Sequence, residues 1–90
     1  MNWTDQGIKN VKDTVKRAKS FEDAIEKVGG KSLGFYYTMG RNDFVAMIEA
    51  PNDEAIASVL FSLGSLGNVN TDTLKAFSMD EAANIIEKLS

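Results

Sequence analysis

The amino-acid sequence predicts an α+β fold in which helices cover one face of an antiparallel sheet and an extra helix follows at the C-terminal end. Three observations predict it. An apolar stripe at helical spacing occupies the first third, two strand-like segments joined by a tight turn come next, and a helix, a strand and a helix complete the chain. This order is β-α-β-β-α-β with its first strand nearly absent, which predicts a two-layer sandwich.

Length and composition limit the classes of protein to consider. With 90 residues and a mass of 9.8 kDa, we expect residues 1–90 to form a single domain. The sequence contains no histidine and no cysteine. Their absence excludes disulfides, metal or haem sites built on thiolate or imidazole, and Ser-His-Asp or Cys-His catalysis. We therefore expect no metal and no cofactor.

The charge and hydropathy patterns argue against nucleic-acid and membrane partners. The formal net charge is -3 at pH 7, and the isoelectric point is about 4.8, whereas nucleic-acid binders carry basic surfaces. No apolar run reaches the roughly 20 residues that a membrane-spanning helix needs. The start of the chain lacks the basic and apolar regions of a signal peptide. We expect a cytoplasmic protein.

The first third of the chain is predicted to be helical. Apolar residues recur there at steps of three and four: Ile8, Val11, Val15, Ala18, Phe21, Ile25 and Val28. Thr14 and Ser20 each fit a helix cap, so that either one kinked helix or two abutting helices are compatible with the pattern. Gly29 and Gly30 end the segment, because glycine takes the left-handed conformation at a helix C-terminus without strain.

A hairpin is predicted over residues 33–39 and 44–50, with Arg41 and Asn42 as the two loop residues. In this register Met39 lies opposite Phe44, Tyr37 opposite Ala46 and Phe35 opposite Ile48, which makes one face wholly apolar. The other face is semi-polar and carries Gly34, Tyr36, Thr38 and Gly40 beside Asp43, Val45, Met47 and Glu49. A one-residue slip would mix the two faces, and their clean separation favours this alignment of the strands.

The second half is predicted to form a helix, a strand and a closing helix. Asn52 fits the N-cap of the first helix, which Gly64 or Gly67 ends. Residues 69–77 alternate weakly and indicate a third strand. Ser78 and Glu81 form a capping box that starts the closing helix, whose apolar positions are Ala82, Ile85, Ile86 and Leu89.

Several motifs, in order along the chain, resemble the GYD domain family. They are Asn2-Trp3-Thr4-Asp5-Gln6-Gly7-Ile8, Gly29-Gly30-Lys31, Gly34-Phe35-Tyr36, Gly40-x-x-Asp43, Glu49-Ala50-Pro51, Leu66-Gly67-Asn68-Val69 and Thr73-Leu74-x-Ala76-Phe77. The resemblance implies a ferredoxin-like fold of the dimeric α/β-barrel group, in which two sheets face each other across a homodimer interface. The members are small prokaryotic proteins that are regarded as functionally uncharacterised.

The chain departs from the family pattern at two places. Asn42 stands where the family's Gly-Tyr-Asp tripeptide has its tyrosine, although Gly40 and Asp43 match and asparagine suits a turn. Family members also carry a strand before the Asn-Trp-Thr segment, where this sequence has Met1 alone. That strand is central in the family fold. We expect either a start further upstream, a trimmed chain, or a sheet whose exposed edges are covered by a partner or a rearrangement.

The semi-polar face of the hairpin is the candidate site. Five residues are predicted to bind a small organic ligand: Tyr36, Thr38, Asp43 and Met47 on that face and Trp3 at the mouth of the pocket. The alternative is that this face is a dimer interface with Tyr36 and Met47 as packing anchors. Trp3 also fits a core or cleft-rim position, and Asp43 fits a turn-closing role. Arg17 fits a solvated position, an anion site or a tie between its helix and a carboxylate.

Three functions fit these features. The first is a homodimeric domain that binds or senses a small molecule between two sheets. The second, which the resemblance implies by analogy with enzymes of the dimeric α/β-barrel group, is a cofactor-free enzyme of monooxygenase or isomerase type. It would need Tyr36 or Asp43 for proton transfer, since histidine is absent. The third is a structural interaction module whose exposed face binds a different protein.

Overall fold

A computed structural model describes residues 1–89 and has the predicted α+β class. Its elements, in chain order, are β1 (Asn2–Trp3), α1 (Asp5–Lys9), a 3₁₀ turn (Val11–Asp13), α2 (Thr14–Lys27), β2 (Lys31–Tyr37), β3 (Phe44–Glu49), α3 (Asp53–Ser65), β4 (Val69–Asn70) and α4 (Met79–Glu87). Helices α2 and α3 lie on one face of the strands, as a ferredoxin-like sandwich requires. The predicted fold class is confirmed.

The strands form two antiparallel pairs that the first residue joins. β2 pairs with β3, and β1 pairs with β4 through Asn2 opposite Asn70 and Trp3 opposite Val69. The Met1 nitrogen donates a hydrogen bond to the Phe44 carbonyl at 2.9 Å, and the Phe44 N–H donates to the Met1 carbonyl at 3.2 Å. The chain around β1 therefore lies between β3 and β4, the central position that the family resemblance implies.

The predicted alignment of the hairpin is wrong by two residues, although the faces are right. Tyr37 lies opposite Phe44 and Phe35 opposite Ala46, with an irregularity between Ser32 and Gly34. A shift of two preserves which side chains share a face, because the side-chain period of a strand is two. The turn is longer than predicted, and Met39 leaves the apolar face to become fully exposed at 101%.

Local signals place the helix ends. The Thr4 side chain caps α1 by accepting the N–H of Gly7, and the Asn52 side chain caps α3 by accepting that of Ala55. Gly29 follows α2 with φ of 84°, as predicted. The first third is two abutting helices, not one kinked helix, and Thr14 is the first residue of α2 instead of its N-cap.

The core is small and lies between α2, α3 and the inner face of the hairpin. Phe21, Ile25 and Val59 form its buried centre, against which Phe35, Ala46 and Ile48 pack. The first part of the predicted stripe does not reach this core: Ile8, Val11 and Val15 are exposed. Ile8 and Val11 precede α2, and the break after α1 separates them from the axis that α2 follows, whereas Val15 lies exposed in the first turn of α2 itself.

The C-terminal part differs most from prediction. Strand β4 ends at Asn70, so the predicted strand over residues 69–77 is wrong beyond that point. A strand needs a hydrogen-bonding neighbour, and in residues 1–89 the neighbour of β4 is the two-residue β1. The capping box of α4 is present as predicted, but Ile85 and Ile86 are exposed rather than packed on the core. Within the part of the chain described here, no helix is long and apolar enough to cross a membrane.

Candidate functional site

The outer face of the hairpin is an exposed apolar surface, which we define by Gly34, Tyr36, Val45 and Met47. Tyr36 lies opposite Val45 and Gly34 opposite Met47. Tyr36 is 61% exposed and Met47 is 55% exposed. A Cβ at Gly34 would come within 2.8 Å of the Tyr36 ring, so the absence of a side chain at Gly34 lets that ring lie down on the sheet. Exposed apolar surfaces rimmed by polar groups are typical of protein interfaces.

Thr38 and Asp43 lie at the end of the outer face and hold the turn and the first strand. The Thr38 N–H donates to the Asp43 carbonyl at 2.8 Å, and the Thr38 hydroxyl donates to the Asn42 carbonyl. The Asp43 carboxylate accepts the Trp3 N–H at 3.0 Å, and its own N–H donates to the Asn2 side chain at 2.8 Å. Asp43 therefore does more than close the turn, because it also ties the hairpin to β1 through Trp3 and Asn2.

Trp3 lies on the other side of the sheet from Tyr36 and Met47. Its ring is stacked with that of Tyr37, with a distance of 6.3 Å between the ring centroids. The centroid of the Phe44 ring lies 5.6 Å from that of Trp3. The structure therefore brings Tyr36 and Met47 together, sets Thr38 and Asp43 at the end of the same face, and places Trp3 with the inner aromatic residues.

A cleft of about 480 Å³ opens on that inner side between α2 and α3. Its walls include Arg17, Phe21, Ser62 and Leu63, and its floor includes Trp3 and Phe44. This cleft was not among the features predicted from the sequence. The available signal was the small residues among the inward positions of both helices, such as Ala18, Ala24 and Ser62, which leave space where larger side chains would meet.

The family motif at residues 2–8 clamps the motif at residues 66–69, a function that sequence reasoning also missed. The Thr4 hydroxyl donates to the Gly67 carbonyl at 2.6 Å, and the Gln6 amide donates to the Leu66 carbonyl at 3.1 Å. The Thr4 N–H donates to the Asn68 carbonyl at 3.0 Å. Gly7 is buried against Asn68, where a side chain has no room.

Arg17 holds the same region together from α2. Its guanidinium donates to the Asn10 carbonyl at 2.9 Å and to the Gly7 carbonyl at 3.2 Å, the two carbonyls at the end of α1. Neither a solvated position nor a tie to a carboxylate describes it. Each of these carbonyls also accepts a backbone N–H, so the guanidinium is a second donor to both, and its positive charge is favourable near a helix C-terminus.

One carboxyl group shows a clear electrostatic effect. Glu81 accepts the backbone N–H of Ser78 in the capping box of α4, which lowers the pKa of Glu81 because the hydrogen bond favours its charged form. The Ser78 side chain adds to the lowering. This group stabilises the start of α4 and lies outside the candidate site.

These observations define a small α+β domain with a ferredoxin-like arrangement, an exposed apolar sheet face and a cleft on its helical side. The chain belongs to the GYD domain family, whose model matches residues 1–86, so the resemblance seen in the motifs is confirmed. It is 30% identical over 87 residues, covering 96% of this chain and 88% of the other, to the glutamine synthetase and cystathionine beta-lyase binding protein of Thermus thermophilus. No solved structure matches the chain significantly.

Proposed function

We propose that the protein is a binding module that associates with an enzyme through the outer face of its hairpin. The observation that carries the proposal is the exposed, apolar character of that face around Tyr36 and Met47. Aromatic residues and methionine are the types enriched at the centres of protein interfaces. The name of the Thermus thermophilus relative, a binding protein for two enzymes, supports the same role.

The test is binding of the purified chain to glutamine synthetase and to cystathionine beta-lyase from the same organism, measured by calorimetry. We expect one of them to bind. Met47→Glu adds a charge to the centre of the face, and we expect it to weaken binding by about tenfold or more, because a buried unpaired charge is unfavourable in an interface. Met39→Glu is the matched control, since Met39 is fully exposed on the turn outside the face.

Two results contradict the proposal in different ways. If the wild-type chain binds neither enzyme, the enzyme-binding function is wrong. If it binds and both glutamate variants bind equally well, the function stands but the outer face is not the surface used.

A small organic ligand on the same face is the second candidate, with two copies facing each other across it. The Tyr36 ring lying over Gly34, with Met47 beside it, provides a floor against which a flat ligand can stack. Titration of metabolites against thermal unfolding tests this function, because a ligand at 100 times its Kd stabilises the folded chain by about 2.7 kcal/mol. A screen in which no metabolite raises the Tm argues against it.

A further inference from the structure

We propose that α4 of a second copy of this chain docks in the cleft between α2 and α3, so that two copies exchange their C-terminal arms. The proposal concerns the inner side of the sheet and does not depend on the outer face. It rests on an unpartnered helix, an unfilled apolar cleft, complementary charges and the surface area of the chain.

Helix α4 has an apolar side that stays exposed among the residues 1–89 of its own chain. It is nine residues long and has a complete capping box. Isolated helices shorter than about 12 residues are marginal in water, so most of their stability must come from an apolar contact. Ile85 and Ile86 in α4 and Leu89 just after its C-cap are each about half exposed or more.

The cleft offers a contact of the matching kind. It has a volume of about 480 Å³ and is lined mostly by apolar side chains, among them Phe21, Leu63 and Val69. The apolar side chains of this open cleft are in contact with water, and covering them by an apolar partner would be favourable. The row of branched aliphatic side chains on α4 suits a groove between two helices.

The charges of the two partners are complementary. Lys16 and Arg17 lie at the wall of the cleft, and no carboxylate lines it. Within Met79–Glu87, α4 carries Asp80, Glu81 and Glu87 and no basic residue. Opposite charges at the rim of an interface favour encounter and set the orientation of the helix.

The course of the arm points to a second copy as the source of α4. The Lys75 Nζ lies 3.5 Å from the Asp53 Oδ1 at the start of α3. The cleft lies at the other end of this helix, around Ser62 and Leu66. About 13 Å of helix separates Asp53 from Ser62 at 1.5 Å per residue. At Lys75, four residues before α4 begins, the arm therefore lies at the end of α3 opposite to the cleft of its own chain.

The surface area agrees with a missing partner. The chain exposes 6975 Å², against about 5,200 Å² expected for a folded monomer of this mass. The excess, about 1,800 Å² in each copy, falls in the range that permanent homodimers bury.

Cross-linking tests the exchange directly, since the chain has no cysteine of its own. We prepare one chain with Ser62→Cys on the cleft wall and another with Ile86→Cys on α4, mix them and oxidise. The expected result is a disulfide-linked heterodimer. The matched control replaces Ser62→Cys by Phe61→Cys, because Phe61 lies on the exposed side of α3; it should link at least tenfold less.

Two results overturn the proposal. The first is the absence of a Ser62→Cys to Ile86→Cys link above the level of the control. The second is an intramolecular link in a chain that carries both cysteines, with no dimer, which would mean that α4 fills the cleft of its own chain. As an independent readout, Lys16→Glu should weaken the dimer about two- to fivefold by sedimentation equilibrium, whereas Lys31→Glu, with the same charge change away from the cleft, should not.

Discussion

Replacing Gly7 by alanine should disrupt the clamp between the two family motifs. A Cβ at this position would lie 1.9 Å from the Asn68 carbonyl oxygen, so α1 and the turn around Gly67 must separate by more than 1 Å. Two hydrogen bonds now at 3.0 Å, from the Thr4 N–H to the Asn68 carbonyl and from the Gln6 amide to the Asn68 side chain, would then be lost.

The expected destabilisation follows from these distances. Each lost hydrogen bond contributes about 1 kcal/mol, and forcing a methyl group into a packed site adds about 1–3 kcal/mol. Alanine returns up to about 1 kcal/mol as a better helix former than glycine. We therefore expect Gly7→Ala to lower the free energy of unfolding by about 2–4 kcal/mol.

Urea unfolding, followed by circular dichroism and by the fluorescence of Trp3, measures the effect. Gly64→Ala is the matched control, because Gly64 lies within α3 with nothing inside 4 Å of its Cβ position. The control should raise the free energy of unfolding by about 0.5–1 kcal/mol. If Gly7→Ala unfolds within about 0.5 kcal/mol of the wild-type chain, the close approach of α1 to Asn68 is absent in solution and the reasoning fails.

Three further perturbations have defined outcomes. Ile25→Ala removes most of a side chain that is 0% exposed and leaves a cavity, so it should lower the free energy of unfolding in urea by about 2–5 kcal/mol. A decrease of less than about 1 kcal/mol would contradict the assigned core. Asp43→Ala removes the acceptor of the Trp3 N–H and should destabilise by about 1–3 kcal/mol, with Trp3 emission shifting to the red; unchanged stability and emission would mean that β1 is not held there. Because the folded pKa of Glu81 is lowered, its stabilisation of α4 is present above the unfolded pKa and lost as the pH falls through the folded value. Helical ellipticity should therefore drop at acid pH more in the wild-type chain than in Glu81→Gln, and equal curves would refute the role of the capping box.

The outer face could be predicted from the sequence to a useful degree. The residues of this face follow from the two-residue period of a strand. The predicted alignment was wrong by two residues, so that Tyr36 lies opposite Val45 and not Met47, but Tyr36 remains on the predicted face. The turn length was not predictable, because it depends on how Asp43 is held by Trp3 and Asn2 from 40 residues away. For Trp3 the sequence left two positions open, and its contacts with Tyr37 and Phe44 place it on the inner side.

The sequence by itself determined the features whose cause is local: the caps at Asn52 and Ser78, the glycine that follows α2, and the two characters of the hairpin. Each depends on residues within a few positions of one another, where side-chain chemistry and backbone sterics act directly. Tertiary structure alone decided how far β4 extends, whether α4 finds a surface, and where two helices leave a cleft. Those outcomes depend on which segments meet in space. The periodicity of a sequence predicts which side of a helix or strand is apolar, but it does not predict which segment will pack against that side.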